Sequence, residues 1–398
     1  MKVIALGGTG VYGQVVSRRL ADSELVSDLV IASRTLEKAT TLASALGPKA
    51  SGAGVDVFDE TGLQNIVDGS DLIVNFTGPE YQTVIPVLQA AISAGVNYCD
   101  IGVDGAVAET AMGMHSAAEA AGITAMIGAG AAPGLFNMTA LHALDQLDES
   151  LAVHFAYCHK FEALIGSVEE HHELLGQGKE IPAVPAMYIH ALTGKARQYR
   201  EGQLIDVDAY SEPRKLPLFG DGDIEVYAFA SSEPITFSKA IPTLKQVTAN
   251  VGFFPPELNE FVRQEIISAG PEGEEQAFRS IVEGFVNNPE RLTDTAREDV
   301  TCGEVVCIDG IKDGRPMRCI AEPCWNSGEF SVDAVTVDPL MVAVNCILRG
   351  EVKTKGVVSP EACFDPQRFF SELATMEPIV AAENDAYIRT RLEPLPSN

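Results

Sequence analysis

The chain has 398 residues, 46% of them hydrophobic, with 28 basic and 56 acidic side chains and a net charge of −28. That length exceeds one ordinary core and implies two domains. The charge repels phosphate backbones and anionic lipid surfaces, which argues against nucleic-acid and membrane partners, and no run approaches the ~20 unbroken apolar residues of a membrane helix.

The first seven residues read as a strand rather than a signal peptide, because glycines follow at once, and the chain is expected in the cytoplasm. From Met1 to Gly130 strand-like runs alternate with helical patterns. "KVIALGG" is a strand and Val11–Asp22 a helix; "DLVIAS" is a strand and "LEKATTLASAL" a helix. "GAGVDVFD" is a short strand, followed by a helix over Thr61–Val67. "SDLIVNFTGP" is a buried strand and "VIPVLQAAISAG" a helix. "NYCDIG" is a fifth strand, "GMHSAAEAAG" a helix and "ITAMIGAG" a sixth strand. Five helical connections of this length imply an α/β doubly wound parallel sheet, the Rossmann arrangement. After "AAPGLFNMTALHAL" the pattern changes. From Leu151 to Val335 the runs read as longer antiparallel strands with helices between them, a mixed α+β domain. "DPLMVAVNCILRGEV" is helical again, and "PEACFDPQRFFSELATM" reads as a closing helix.

Four of the eight cysteines lie in "TCGEVVCIDGIKDGRPMRCIAEPCW". A three-residue hairpin loop centred on Asp313 puts Cys307 opposite Cys319 and Cys302 opposite Cys324. Five residues of separation place the two pairs on opposite faces, so the four sulfurs cannot surround one tetrahedral zinc. Buried reduced thiols and no metal are expected.

Gly8-Thr9-Gly10-Val11-Tyr12-Gly13 follows a strand and opens a helix, the context that makes G-x-G-x-x-G a dinucleotide fingerprint. Gly8 is expected to permit the tight turn, Gly10 to let backbone approach a pyrophosphate, and Gly13 to bring the helix close to the sheet. The helix N-terminus then faces the phosphates. At the end of the second strand, where an NAD site carries Asp or Glu, the chain has Ser33, Arg34 and Thr35. A carboxylate there would repel a 2′-phosphate, whereas Arg34 pairs with it and Ser33 or Thr35 donates to it, so NADP(H) is expected. Asp56 is placed to meet the adenine amine; Asn75, Thr77, Gly78 and Pro79 are placed on the nicotinamide–ribose side.

The chain resembles the saccharopine dehydrogenase-like family of oxidoreductases. "GGTGVYG" with "ASRTLEKA" is similar to the family's cofactor half, and "NYCDIG" with "GITAMIGAGAAPGLFN" to its crossing into the substrate domain. "AVNCILRGEVKTKGVVSPEACFDPQRFFSEL" resembles its closing helix, Lys-Gly-Val turn and Pro-Glu-x-Cys-x-Asp-Pro segment. The resemblance implies a discontinuous NAD(P)-binding domain of residues 1–133 and 336–398, and a substrate-binding and dimerisation domain of residues 134–335. It also implies a homodimer, and hydride transfer at the C–N bond of a small amino-acid-derived or opine-like substrate. Where saccharopine reductases read Asp-Pro-Gly and then Asp-His, this chain has Ala132-Pro133-Gly134 and Phe136-Asn137. That places it closer to the lysine-dehydrogenase and carboxynorspermidine branches.

In such chemistry the protein supplies orientation and a proton donor or acceptor. Tyr98, Cys99 and Asp100 end the fifth strand, and Asp100 is the candidate general base, against a simpler role capping the next turn. His159, Lys160, His171 and His172 form a second candidate cluster, with His171 the proton-relay choice. Arg214, Arg297 and Arg318 have the chemistry of carboxylate clamps, and nothing in the sequence selects among them. An enoyl or carbonyl reductase on a more hydrophobic substrate, and a non-catalytic NADP-binding sensor, remain the alternative readings.

Overall fold

The structure is a computed structural model that describes residues 1–160, 172–173, 176–177, 181–218, 222–254, 256–270, 273–288, 303–324, 332–376 and 387–395. Two compact units form, Met1–His142 with Pro323–Arg389, and Ala143–Glu322 with Thr390–Asn398.

In the first unit β1 (Lys2–Leu6), β2 (Asp28–Ser33), β3 (Ala50–Gly54), β4 (Leu72–Asn75), β5 (Asn97–Asp100), β6 (Thr124–Met126) and β15 (Gly356–Val358) make one parallel sheet. Its order is β15-β6-β5-β4-β1-β2-β3. Strand order therefore reverses between β1 and β4, the crevice where ligands of doubly wound sheets bind. The central strands are apolar on both faces because helices cover both: Val3 to Leu6 and Leu72 to Val74 are at most 1% exposed. Helix α1 (Val11–Asp22) buries Gly13, Val16, Ser17, Leu20 and Ala21, a spacing that keeps one stripe on the sheet. The other crossovers are α2 (Leu36–Leu46), α3 (Glu60–Val67), α4 (Glu80–Ala94) and the pair α5 (Gly105–Gly113) and α6 (His115–Ala120). Ile4, Leu6, Ile73, Leu88, Tyr98 and Val357 belong to one core cluster.

Three expectations shift here. The third strand runs over Ala50–Gly54 and ends before Val55-Asp56-Val57. A Cβ on Gly52 would stand 2.4 Å from the Thr40 nitrogen, so this glycine-rich segment is the one that can lie against α2. The connection from β5 to β6 holds two helices rather than one. The Lys-Gly-Val segment is not only a turn: Gly356–Val358 pairs in parallel with Thr124–Met126 and adds a seventh strand.

The first unit closes its N-terminal part with α7 (Leu135–Ala143), and the second sheet is built from β7 (Glu149–Lys160), β8 (Lys195–Arg200), β9 (Gln203–Asp208), β10 (Arg214–Pro217), β11 (Asp223–Ala228), β12 (Gln246–Phe254), β13 (Gly303–Lys312), β14 (Arg315–Pro323) and β16 (Ile388–Pro394). The sheet runs β10-β11-β12-β7-β13-β14-β16, with the β8–β9 hairpin attached to β12. β12 lies parallel to β7 over nine residue pairs, against the all-antiparallel expectation. The connection between them contains the helix Ala183–Leu192, the β8–β9 hairpin and the helix Glu233–Ala240, long enough for a crossover, which a parallel pair requires.

The cysteine hairpin turns on two residues, Asp313 and Gly314, with φ of 51° and 72°. Two left-handed residues match the twist of the flanking strands, as in a type I′ turn. Register moves by one: Cys307 faces Ile320, and Cys319 faces Ile308. Cys307 and Cys319 therefore lie on opposite faces, fully buried, with burial pushing their thiols up to about 12 and about 11. Cys302 lies outside the described residues.

Candidate active site

The glycine turn has the geometry of a phosphate cradle. Gly7 carries the left-handed φ of 77°, so the tight turn begins one residue before the expected Gly8. A Cβ on Gly7 would lie 2.7 Å from the Phe76 carbonyl carbon, which fixes the first loop against the loop after β4. A Cβ on Gly8 would meet the Ala5 oxygen at 2.8 Å, and one on Gly13 would meet the Gly7 oxygen at 2.2 Å. Both are excluded by packing within the protein. Gly10 differs: a Cβ there has only the Gly7 oxygen within 4 Å, at 3.3 Å. It is the N-cap of α1, no side chain caps it, and the first turn carries no acid. Thr9 is held by its carbonyl, which accepts from Gln14 Nε2 at 3.0 Å. Val11 is 77% exposed at the head of the helix, and Tyr12 beside it is half-buried. These are the features a dinucleotide pyrophosphate needs: open backbone, unfilled N–H positions and no opposing charge.

At the end of β2 the Ser33 hydroxyl donates to the Thr35 carbonyl at 2.9 Å, and Thr35 caps α2. Arg34 is exposed, and among the described residues no carboxylate pairs with it. Asp56 is exposed too; its Oδ1 accepts from the Phe58 N–H at 3.0 Å.

The loops after β4, β5 and β6 are tied together by a buried polar network. Asn75 accepts on Oδ1 from the Thr77 N–H and hydroxyl at 3.0 and 2.7 Å, and its Nδ2 donates to the Tyr98 hydroxyl at 3.0 Å. Tyr98 in turn donates to Asp100 Oδ2 at 2.6 Å. Asp100 Oδ1 accepts from the Gly102 N–H at 3.0 Å and the Gly128 N–H at 2.8 Å. Asp100 is 2% exposed; burial raises its pKa, against the lowering effect of these donors. Tyr98 is pushed well above its ordinary value by burial and by Asp100. Cys99 points to the other face of β5, fully buried, its thiol also driven up by burial and by Asp100. Gly78-Pro79 is a cis peptide, and Pro79 caps α4.

One member of this group is not expected from the sequence. Glu80, first residue of α4, accepts from the Val103 N–H at 2.9 Å and the Asp104 N–H at 2.6 Å. Burial and the neighbouring Asp104 push its carboxyl up to about 8. Its sequence signal is faint, an acid in the first turn of a helix, which reads as ordinary dipole compensation.

The second candidate cluster is not brought together among the described residues. His171 and Arg297 lie outside the described residues, His172 is exposed, and His159 and Lys160 take positions opposite Phe253 and Phe254 in the β7–β12 ladder. Arg318 is bound by both oxygens of Asp309 at 2.6 and 2.8 Å. For metal chemistry, the described residues bring only Cys346, Glu351 and Glu372 within ligand spacing. Arg349 sits among them, pairing with Glu351 at 3.1 Å and Glu372 at 2.6 Å, so the grouping is an ion-pair network.

Comparison with known proteins follows the same division. Residues 3–126 match the saccharopine dehydrogenase NADP binding domain. A carboxyaminopropylagmatine dehydrogenase from Synechocystis sp. is 25% identical over 397 residues, covering 94% of this chain and 96% of the relative. A carboxynorspermidine synthase from Vibrio alginolyticus is 22% identical over 414 residues, covering 94% and 95%. Among solved structures, apo saccharopine dehydrogenase (L-Glu forming) from Saccharomyces cerevisiae superposes with a TM-score of 0.61 at 17% identity, covering 98% of this chain and 99% of that one. With a match to the saccharopine dehydrogenase NADP binding domain at its head and two relatives named for carboxy-substituted amines aligned along nearly its whole length, the chain is an NADP-binding oxidoreductase similar to the saccharopine dehydrogenase-like proteins.

Proposed function

We propose that the protein transfers hydride between NADP(H) and the C–N bond of a small amino-acid-derived or opine-like amine, reducing the imine in one direction and oxidising the amine in the other. The observation that carries this reading is the 94% coverage of the chain by two relatives, both named for carboxy-substituted amines. The net charge of −28 supports it, since an acidic protein attracts cationic amines and iminium ions.

Each part of the site has a role in that reading. Gly8 to Gly13 cradle the pyrophosphate, with Gly10 the point of closest approach. Arg34 pairs with the 2′-phosphate while Ser33 and Thr35 frame it, Asp56 meets the adenine, and Asn75 to Pro79 flank the nicotinamide ribose. NADP(H) supplies the hydride. Tyr98 and Asp100 order the loops at the reacting end, and Asp100 is the proposed proton-exchanging group, a role that requires Oδ2 to release the Tyr98 hydroxyl. Cys99 backs that pair from the core face. His171 is the proposed proton relay, and the second unit is the proposed substrate-binding and dimerisation part of a cytoplasmic homodimer.

The test is a spectrophotometric screen of NADP⁺ and NAD⁺ reduction over free amino acids, polyamines and opine-type secondary amines. Turnover with an amine and preference for NADP⁺ is the expected result. Arg34→Glu should swing the preference toward NAD⁺ by tenfold or more; unchanged cofactor affinities would remove Arg34 from the site. Silence over the whole panel, with NADPH binding intact, would move the reaction to an enoyl or carbonyl substrate.

A further inference from the structure

The second sheet gathers three arginines on one face, and two of them are already paired. Arg318 donates from Nε and Nη2 to Asp309. Arg200 pairs with Glu212. Arg214, the first residue of β10, has no carboxylate within salt-bridge reach among the described residues. Both of its hydrogen bonds leave from Nη1, to His154 Nδ1 at 3.1 Å and Thr248 Oγ1 at 3.4 Å. Nε and Nη2, the two donors on its outer edge, therefore have no acceptor among the described residues.

The partners that Arg214 does have are neutral. With the His154 proton assigned to Nε2, toward Asp309 at 3.5 Å, Nδ1 accepts both from the Thr248 hydroxyl at 2.8 Å and from Arg214 Nη1 at 3.1 Å. Burial, aided by Arg214, holds the imidazole below its ordinary value, with Asp309 opposing. Thr248 offers a hydroxyl that also accepts from Asn250 Nδ2 at 3.0 Å. Counted with Glu393, which also acts on Arg318, and its ion-pair partner Arg391, four guanidiniums face the three carboxylates Asp309, Glu212 and Glu393 and leave one surplus positive charge, in a chain whose net charge is −28. Burial and then Arg200 draw the Arg214 pKa down, opposed by Glu212, as expected of a cation short of a counter-charge.

We propose that Arg214 is a binding position for a small monocarboxylate, received side by side on Nε and Nη2. The planar edge of the guanidinium matches two carboxylate oxygens. A phosphate dianion fits less well, because Asp309 and Glu212 would face it with one surplus positive charge to meet two negative ones. All the groups belong to the second unit, and the inference is independent of the amine reading.

Titration calorimetry of propionate into the full chain saturated with NADP⁺, at low ionic strength, tests it, with propionamide and inorganic phosphate as separate arms. Saturable propionate binding is expected, weakened at least tenfold in Arg214→Gln, with propionamide silent and phosphate weaker than propionate. Arg214→Lys keeps the charge but loses the fork, and should bind between the two. No saturable propionate binding, or equal affinity in the Gln variant, overturns the proposal; phosphate binding tighter than propionate overturns the monocarboxylate assignment. Should the Gln variant fail to fold, equal affinity in the Lys variant overturns it instead.

Discussion

The two units hold their buried acids in different ways. At the strand ends of the parallel sheet, acids bind backbone: Asp100 and Glu80 together take the N–H groups of Gly102, Gly128, Val103 and Asp104. On the second sheet, side chains bind side chains, as in His154–Asp309–Arg318 and in Tyr157–Ser231–Glu233. A carboxylate that holds main chain sets the shape of a loop, and any chain passing through that loop must follow it. A carboxylate that holds another side chain sets only a pairing, which the register of two strands must already have brought about. The first arrangement suits a cradle for a cofactor; the second suits a sheet face whose specificity can vary.

The largest effect that would break this comparison is at Gly13. Gly13→Ala puts a Cβ 2.2 Å from the Gly7 oxygen, so the turn and helix must separate. Thermal denaturation should show a loss of about 3 kcal/mol or more, because the clash is with backbone that cannot rotate aside. Gly10→Ala should leave stability within about 1 kcal/mol while weakening NADPH at least tenfold, as its proposed role at the pyrophosphate requires. Equal stability losses in the two variants would mean that Gly10 serves the fold alone.

Next in size is the second sheet. Asp309→Asn leaves the partly buried Arg318 without its counter-ion, a loss of roughly 1–3 kcal/mol. Burial alone would raise the Asp309 carboxyl, but Arg318 and His154 hold it well below the carboxylate range. Its contribution is therefore present above the ordinary 3.8 and is lost as pH falls through the folded value. Denaturant titrations of wild type and variant should diverge at pH 7 and converge as the acid is titrated.

Glu80 behaves in the opposite sense. The folded chain keeps a proton on Glu80 up to about 8, whereas the unfolded chain loses it near 4.5. Stability from this group is full below 4.5 and declines as pH rises toward 8, by at most about 1.4 kcal/mol per pH unit. Glu80→Gln should flatten the stability profile between pH 5 and 8; an unchanged slope would show that Glu80 ionises normally. The smallest effect is at Tyr98→Phe, which removes the hydroxyl between Asn75 and Asp100 and should cost about 1–2 kcal/mol. In the assay it should lower kcat more than KM if the network orients the reacting end.

The same contrast explains what could be read from the sequence. The glycine turn, the α1 helix from Val11 to Asp22 and the Asn75–Pro79 loop were legible because their partners lie within a few residues or in a repeating strand–helix period. Even there Gly7 escaped, since its neighbour Phe76 comes from another strand. Glu80 was missed because Val103 and Asp104 are more than twenty residues away. The cysteine register failed by one residue, because a two-residue and a three-residue turn at "KDG" differ only in backbone twist. The Arg214 environment, built from strands whose residues are 34 and 60 positions away, needs the parallel β7–β12 pairing before it exists at all.

The seventh strand also has a consequence in time. Gly356–Val358 completes the edge of a sheet whose neighbouring strand, Thr124–Met126, leaves the ribosome more than two hundred residues earlier. At roughly 5–20 residues per second, the interval is on the order of ten to fifty seconds. During it the nascent cofactor-binding half presents an unpaired β6 edge while Ala143–Glu322 of the second unit is being made. Such an edge invites pairing with other chains. A ribosome-held nascent chain stopped before Gly356 is therefore the form of this protein most in need of a chaperone.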